Sequence, residues 1–136
     1  MRAHDQGFVA ASPSLVYEVL CDIPSYGLWW PGISVDTQRE GLRLGLLAGA
    51  AAPARARGHR EGVGLLIDLG PPYEGTLEWY LESFEEGTIV NSVMDLELGG
   101  GHRRASRALR RMRSSIHRGL VGLKGHLEDG AREEPT

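Results

Sequence analysis

The feature that most constrains the fold is a long amphipathic stretch near the end of the chain. Its apolar side chains recur at steps of three and four residues, namely Leu109, Met112, Ile116, Leu120, Leu123 and Leu127. At about 100° per residue they fall within an arc of roughly 80°, which predicts an α-helix over 102–128 with one narrow apolar stripe. Gly119, Gly122 and Gly125 lie in this stretch, and each costs about 1 kcal/mol relative to alanine in a helix. The helix therefore depends on tertiary packing, and we expect an apolar sheet beneath it.

The length and composition indicate a single globular domain. The chain has 136 residues, of which 41% are hydrophobic and 24% are charged, so it is large enough to bury a core without disulfides. Its one cysteine, Cys21, excludes an internal disulfide and provides no zinc-binding spacing. No apolar run is long enough to span a bilayer and residues 1–9 do not resemble a signal peptide, so we expect a cytoplasmic protein. We predict a domain at 1–128 and a polar tail at 129–136.

Charge is distributed unevenly along the chain. Residues 102–128 carry a net charge of +7, whereas residues 1–101 carry −8. One interpretation is that the helix arginines pair with acidic side chains of the sheet. The other is that Arg104, Arg107 and Arg111 bind an anionic partner such as nucleic acid or lipid headgroups. The helix has no aromatic side chain to stack on bases, so recognition of single strands is not supported.

The first third of the chain combines a short strand with two short helices. A β-type run at 7–11 precedes Ser12, which is a good N-cap, and Pro13, which suits a first helical position. A second brief turn through Leu28 leads into adjacent tryptophans. We expect one of them in the core and the other at a pocket wall or at the edge of the core, with Trp30 as the candidate for the pocket.

The middle of the chain predicts several antiparallel strands. We predict strands at 33–40, 42–47, 59–69, 73–84 and 88–98. Alternation is clearest in 73–84, where Leu77, Trp79 and Leu81 point one way and glutamates and a tyrosine point the other. Residues 49–58 are alanine-rich and fit either a weak edge strand or a loop. Helices segregated to one face of an antiparallel sheet define an α+β domain, and a curved sheet around one long helix commonly retains a cavity.

Several segments also resemble a known superfamily. Residues 9–20, followed by Asp22, Tyr26 and the Trp29-Trp30-Pro31-Gly32 sequence, resemble the opening of the START-like helix-grip (SRPBCC) superfamily. Its later strands and final helix are similar to Pro71-Pro72, 75–79, Gly87-Thr88 and 120–128. This superfamily includes polyketide cyclase/dehydrase-like proteins, Bet v 1 relatives and coenzyme-Q-binding proteins. The resemblance implies a seven-stranded antiparallel sheet around the C-terminal helix, with a deep apolar cavity for a lipid, isoprenoid or polyketide-like molecule. Residues 42–62 depart from the strand-rich middle of the superfamily.

The sequence contains no established metal or cofactor motif. His59 and Glu61 share a predicted strand face, and His102, His117 and His126 are spread along the predicted helix. No HExxH, CxxC, GxSxG, P-loop or dinucleotide fingerprint occurs. We therefore predict no metal and no cofactor.

We predict that the protein binds a hydrophobic small molecule between the sheet and the long helix. The ligand-binding residues lie on the inward faces, and Arg113 or His102 orients the ligand; the full set is Trp30, Leu65, Ile67, Trp79, Ser92, Met94, His102, Leu109, Met112, Arg113 and Ile116. One alternative is a polyketide cyclase or dehydratase with acid–base residues in the cavity. Another is an interaction module whose basic helix face contacts RNA, a ribosomal surface or membrane lipid. The sequence specifies neither the ligand nor the oligomeric state.

Overall fold

The computed structural model describes residues 2–37, 42–47, 50–71, 73–97 and 101–133. Within them the chain forms seven strands, two α-helices and one 3₁₀ helix. The strands are β1 (Arg2–Val9), β2 (Ser34–Asp36), β3 (Leu42–Leu47), β4 (Ala50–Arg60), β5 (Gly64–Leu69), β6 (Gly75–Phe84) and β7 (Gly87–Leu96). The helices are α1 (Pro13–Cys21), the 3₁₀ helix (Ile23–Leu28) and α2 (His102–Glu133).

All strand pairs are antiparallel and form one sheet with the order β1-β7-β6-β5-β4-β3-β2. The sheet curls around the long helix α2, which confirms the predicted seven-stranded helix-grip α+β fold. The core lies between the inner face of the sheet and the apolar stripe of α2. Helix α2 ends at Glu133, five residues beyond the predicted boundary. Among the described residues, no helix has both the length and the hydropathy that crossing a bilayer would require.

The region that the sequence left unassigned is an interior strand of the sheet. Strand β4 pairs with both β3 and β5, so neither an edge strand nor a loop is correct for the described part of this segment, residues 50–58. Its inward side chains are small, with Ala52 and Ala54 both buried. Because alanine contributes little to an apolar alternation, the strand gave a weak periodic signal.

The predicted strand at 59–69 is wrong in its first residues. His59 lies at the end of β4, while residues 61–63 form a turn in which Gly62 adopts a φ of +71°. Positive φ is readily available only to glycine, so the chain reverses there before β5 begins. His59 and Glu61 consequently do not share a strand face.

The start of α1 agrees with the sequence prediction. The Ser12 hydroxyl accepts a hydrogen bond from the backbone N–H of Leu15 at 3.3 Å, and Pro13 is the first helical residue. The 3₁₀ helix then buries Ile23 and Tyr26 and leads directly into the two tryptophans.

Both tryptophans lie in the core, which corrects the expectation that only one would. Their rings stack with centroids 5.7 Å apart and an interplanar angle of 23°. Tyr26 and Trp79 complete the cluster, since the Tyr26 ring lies 4.9 Å from that of Trp29 and the Trp79 ring 6.0 Å from that of Trp30. These four rings fill one end of the space between the sheet and α2.

Two helix glycines allow α2 to approach this aromatic cluster. A Cβ atom at Gly119 would lie 2.8 Å from the Trp30 ring, and one at Gly122 would lie 1.7 Å from the Trp29 carbonyl oxygen. Neither position has room for a side chain. At Gly125 a Cβ atom would meet nothing nearer than 4.0 Å.

Candidate functional site

Five of the predicted ligand-binding residues come from three neighbouring strands and form two rows across the inner face. The register places Leu65 opposite Trp79 and Trp79 opposite Ser92. In the next row, Ile67 lies opposite Leu77 and Leu77 opposite Met94. Because these positions alternate with outward-facing ones, the strands bring them together under α2.

The long helix and the aromatic cluster close this space from above. Met112 and Ile116 of α2 are buried in the same core. The Trp30 indole N–H donates a hydrogen bond to the Ser115 hydroxyl oxygen at 3.1 Å, which fixes the ring against the helix. Leu109, one turn towards the N-terminus of α2 from Met112, is only partly buried.

The interior around these side chains is filled by the protein itself. Trp79, Ile67 and Met112 are 0% exposed, and Ser92 is 1% exposed. At these exposed fractions, no space large enough for a water molecule adjoins the side chains. A ligand can reach them only if α2 or the neighbouring side chains move.

Three buried polar atoms make no regular hydrogen bond within the described residues, namely Ser92 Oγ, Trp79 Nε1 and Trp29 Nε1. The Ser92 hydroxyl oxygen and the Trp79 indole nitrogen are both buried. The hydroxyl has no hydrogen-bond partner among the described residues, and the indole N–H meets the Tyr26 hydroxyl only outside regular hydrogen-bond geometry. Ser92 and Trp79 are directly opposite each other on β7 and β6. A buried polar group without a partner costs about 1–3 kcal/mol, so such groups are uncommon in proteins.

A neighbouring hydroxyl, by contrast, is firmly bound. The Tyr26 hydroxyl donates a hydrogen bond to the Leu20 carbonyl oxygen at 2.6 Å. Burial raises the pKa of Tyr26 far above its ordinary value, while a hydrogen bond from the adjacent Trp79 N–H lowers this pKa to a smaller extent. Tyr26 therefore stays neutral and holds the aromatic cluster against α1.

The two predicted polar anchors lie at the surface. His102 is exposed at the first residue of α2. Arg113 is also exposed, and its guanidinium contacts the carboxylate of Asp5, with Nη2 and Oδ1 3.1 Å apart. Because Asp5 is opposite Ser92 and β1 is an edge strand, this ion pair lies at the edge of the sheet, next to the row that contains Ser92.

The other polar candidates are outside the interior as well. His59 is exposed, and its Nδ1 lies 3.9 Å from the Cys21 sulfur. Glu61 is exposed in the turn before β5. Among the described residues no three His, Cys, Asp or Glu side chains are grouped so that they would hold a metal ion. The buried polar and charged residues of the described chain are Thr88, Asn91, Ser92 and Ser115, so a cyclase mechanism would have no carboxylate or imidazole within that set.

Sequence reasoning missed three residues that shape this site. Ser115 anchors Trp30, Tyr26 anchors the aromatic cluster, and Asp5 holds Arg113. Asp5 interrupts an otherwise apolar alternation in β1, and this interruption was the feature of the sequence that could have identified it. The other two contacts leave no periodic pattern in the sequence.

The fold can be compared with solved structures. No family model matches the sequence, and no curated protein is significantly similar to it. A protein from Thermus thermophilus superposes with a TM-score of 0.80 at 16% identity, covering 96% of this chain and 99% of that one. A START superfamily protein from Mycobacterium smegmatis gives 0.69 at 14% identity, covering 93% and 98%. The Zhui aromatase/cyclase from a Streptomyces species gives 0.68 at 17% identity, covering 98% and 96%.

These similarities define the class of fold. The chain has the START-like helix-grip fold, which confirms at the level of structure the resemblance seen in the sequence. At such low identity the comparison concerns the fold alone.

Proposed function

We propose that the protein binds a hydrophobic small molecule between the sheet and α2, in contact with Ser92 and Trp79. The observation that carries this proposal is the Ser92 hydroxyl, which is buried without a hydrogen-bond partner among the described residues and lies directly opposite Trp79 on the neighbouring strand. A hydroxyl and an indole N–H can both donate to one acceptor. The ligand would then provide the hydrogen-bond partner that the described residues do not give Ser92.

The surroundings define the chemistry of the ligand. The side chains around Ser92 and Trp79 are apolar, including Leu65, Met94 and Met112. Burial of apolar surface would supply most of the affinity, at about 25 cal/mol per Å². The ligand is therefore an apolar molecule with a carbonyl or similar acceptor, as in a quinone, a polyketide-like ketone or a lipid ester. Methionine side chains adapt readily to such irregular shapes.

The structural neighbours support the same class of ligand. An aromatase/cyclase has this fold with nearly complete coverage of both chains. The similarity does not transfer an activity, and for this chain we propose binding rather than catalysis.

Entry of the ligand requires opening of the interior near Leu109. This side chain is the least buried of the predicted apolar ligand-binding residues on α2. Close contacts of Gly119 and Gly122 with Trp30 and Trp29 hold the other end of the interior together. The N-terminal part of α2 is therefore the part that would move to admit the ligand.

Matched probes test the polar contact. We would titrate the protein with acetylnaphthalene and with ethylnaphthalene, which differ mainly in a carbonyl oxygen, and follow tryptophan fluorescence. A hydrogen bond of about 1 kcal/mol predicts roughly fivefold tighter binding of the ketone. The Ser92→Ala variant should lose most of this preference and keep only the part that the Trp79 N–H provides. Native mass spectrometry of the purified protein would reveal any ligand that co-purifies.

A second serine provides the control. Ser115 is also buried, but its hydroxyl accepts a hydrogen bond from Trp30. Ser115→Ala should lower the melting temperature and keep the preference for the ketone, whereas Ser92→Ala should not lower it. Failure of either probe to saturate, or an unchanged ketone preference in Ser92→Ala, would contradict the proposal.

A further inference from the structure

The exposed face of α2 carries a row of arginines that have no acidic partner among the described residues. Of the seven arginines between 102 and 129, only Arg113 forms an ion pair with a carboxylate in the described part of the chain. The other six are exposed, namely Arg103, Arg104, Arg107, Arg110, Arg111 and Arg118. The acidic sheet therefore does not neutralise the basic helix within the described structure.

This arrangement opposes the stability of the helix. Three of the arginines lie in the first two turns, where the helix dipole is already positive, and the first turn contains no acidic residue. Arg107 has arginines three and four residues away in both directions, and like charges at these spacings repel. Residues that weaken a helix without a structural benefit are typical of a functional surface.

The geometry of the row indicates the shape of its partner. At about 100° per residue, Arg103 and Arg110 lie on one flank of the exposed face and Arg104 and Arg111 on the other, about 100° around the axis. Arg107 and Arg118 lie between the flanks, and the row extends over about 22 Å. Such a face is charged on both flanks. It fits a groove with negatively charged edges better than a plane.

We propose that this face of α2 binds double-stranded DNA by entering the major groove and contacting the phosphates along both edges. The major groove of B-DNA is about 12 Å wide and accepts an α-helix. Arginine forks bind phosphate oxygens in pairs, and the helix face from 103 to 118 has this chemistry. Binding would be independent of sequence because phosphates carry no base information.

Other anionic partners fit this face less well. The exposed residues of α2 between 103 and 118 include no large apolar side chain, since the apolar stripe is turned towards the sheet. Helices that bind bilayers usually insert such side chains, so a lipid surface would be held by charge alone. The face also has no aromatic residue for stacking on single-stranded bases.

Fluorescence anisotropy with a labelled DNA duplex tests the proposal on the full chain. Six phosphate contacts predict a slope of about −5 in a plot of log K against log salt concentration, or roughly a thousandfold loss of affinity between 50 and 200 mM NaCl. The Arg104→Glu/Arg107→Glu variant should weaken binding at least tenfold and reduce the slope by about 2. The Arg104→Gln/Arg107→Gln variant should give the same change of slope without introducing negative charge.

A control variant with the same net charge separates position from total charge. Arg55 and Arg60 are exposed on β4, away from α2, so Arg55→Glu/Arg60→Glu should change the affinity by no more than about twofold. The proposal is overturned if the DNA duplex shows no saturable binding at 50 mM NaCl, or if the two double glutamate variants lose affinity for DNA equally. It is also overturned if the protein binds vesicles of phosphatidylcholine and phosphatidylglycerol more tightly than DNA. Neither these variants nor the DNA probe involves the interior, so the result is independent of the proposed ligand binding.

Discussion

The two ends of α2 differ sharply in how they contact the rest of the protein. The anchored segment, residues 112–129, contains seven buried positions: Met112, Ser115, Ile116, Gly119, Leu120, Leu123 and Leu127. Its Glu128 carboxylate accepts a hydrogen bond from the Ala10 backbone N–H at 2.9 Å and contacts Lys124 Nζ at 2.7 Å. The charged segment, residues 102–111, buries only Ala105 and contains five arginines.

This difference divides one continuous helix into two roles. Burial and close glycine contacts give the anchored segment most of the packing energy that α2 contributes to the fold. The charged segment gains little from packing and is weakened by its own charges. Local opening therefore costs least in the charged segment, which is where both ligand entry and the proposed DNA contact would occur.

The largest expected effect tests the close contact in the anchored segment. Gly122→Ala introduces a Cβ atom 1.7 Å from the Trp29 carbonyl oxygen, so the backbone must shift. We expect a loss of about 3 kcal/mol in the free energy of unfolding, which outweighs the gain of about 1 kcal/mol in helix propensity. Gly125→Ala has open space and should stabilise the protein by about 0.5–1 kcal/mol. Urea denaturation of both variants measures the difference, and equal effects would show that Gly122 does not control the contact.

Replacing an apolar side chain should cost more stability in the anchored segment than in the charged segment, and one residue on each side of the boundary between them tests this. Met112 is 0% exposed, and its replacement by alanine should cost about 2–4 kcal/mol through the loss of buried surface and the cavity that remains. Leu109 is only partly buried, so Leu109→Ala should cost about 1 kcal/mol. Thermal and urea unfolding compare the two variants. A larger loss of stability for Leu109→Ala than for Met112→Ala would contradict the assignment of the stable part of α2 to the anchored segment.

The sequence predicted the fold well wherever a periodic pattern reflected burial. The alternation around Trp79 and the stripe through Met112 and Ile116 correctly identified the inward faces of β6 and α2. Strand β4 was not predicted because its buried residues, Ala52 and Ala54, are too small to produce a clear apolar alternation. The boundary of β5 was misplaced because Val63 continues the apolar alternation into a turn, where it is half exposed.

The features of the site that could not be predicted from the sequence depend on contacts between residues far apart in the chain. The helix glycines count as unfavourable in a sequence, yet Gly119 and Gly122 are required by Trp30 and Trp29, about ninety residues earlier in the chain. That Ser92 has no hydrogen-bond partner among the described residues is likewise visible only in the folded structure. The location of Arg113 depended on Asp5, which lies on the first strand. Its role in ligand orientation stays a prediction.

The smallest expected effect is a gain of stability, and it comes from a substitution in the charged segment. Arg107→Gln removes four like-charge pairs at helical spacings of three and four residues, each of which costs about 0.2–0.5 kcal/mol. We expect the free energy of unfolding to rise by about 1 kcal/mol, near the lower end of this sum because salt screens exposed charges, and the melting temperature to rise by a few degrees. Arg113→Gln should instead lower the melting temperature because it breaks the ion pair with Asp5. Because salt screens repulsion, the advantage of Arg107→Gln should shrink as NaCl is raised to 1 M, and an advantage that persists would mean that charge is not its cause.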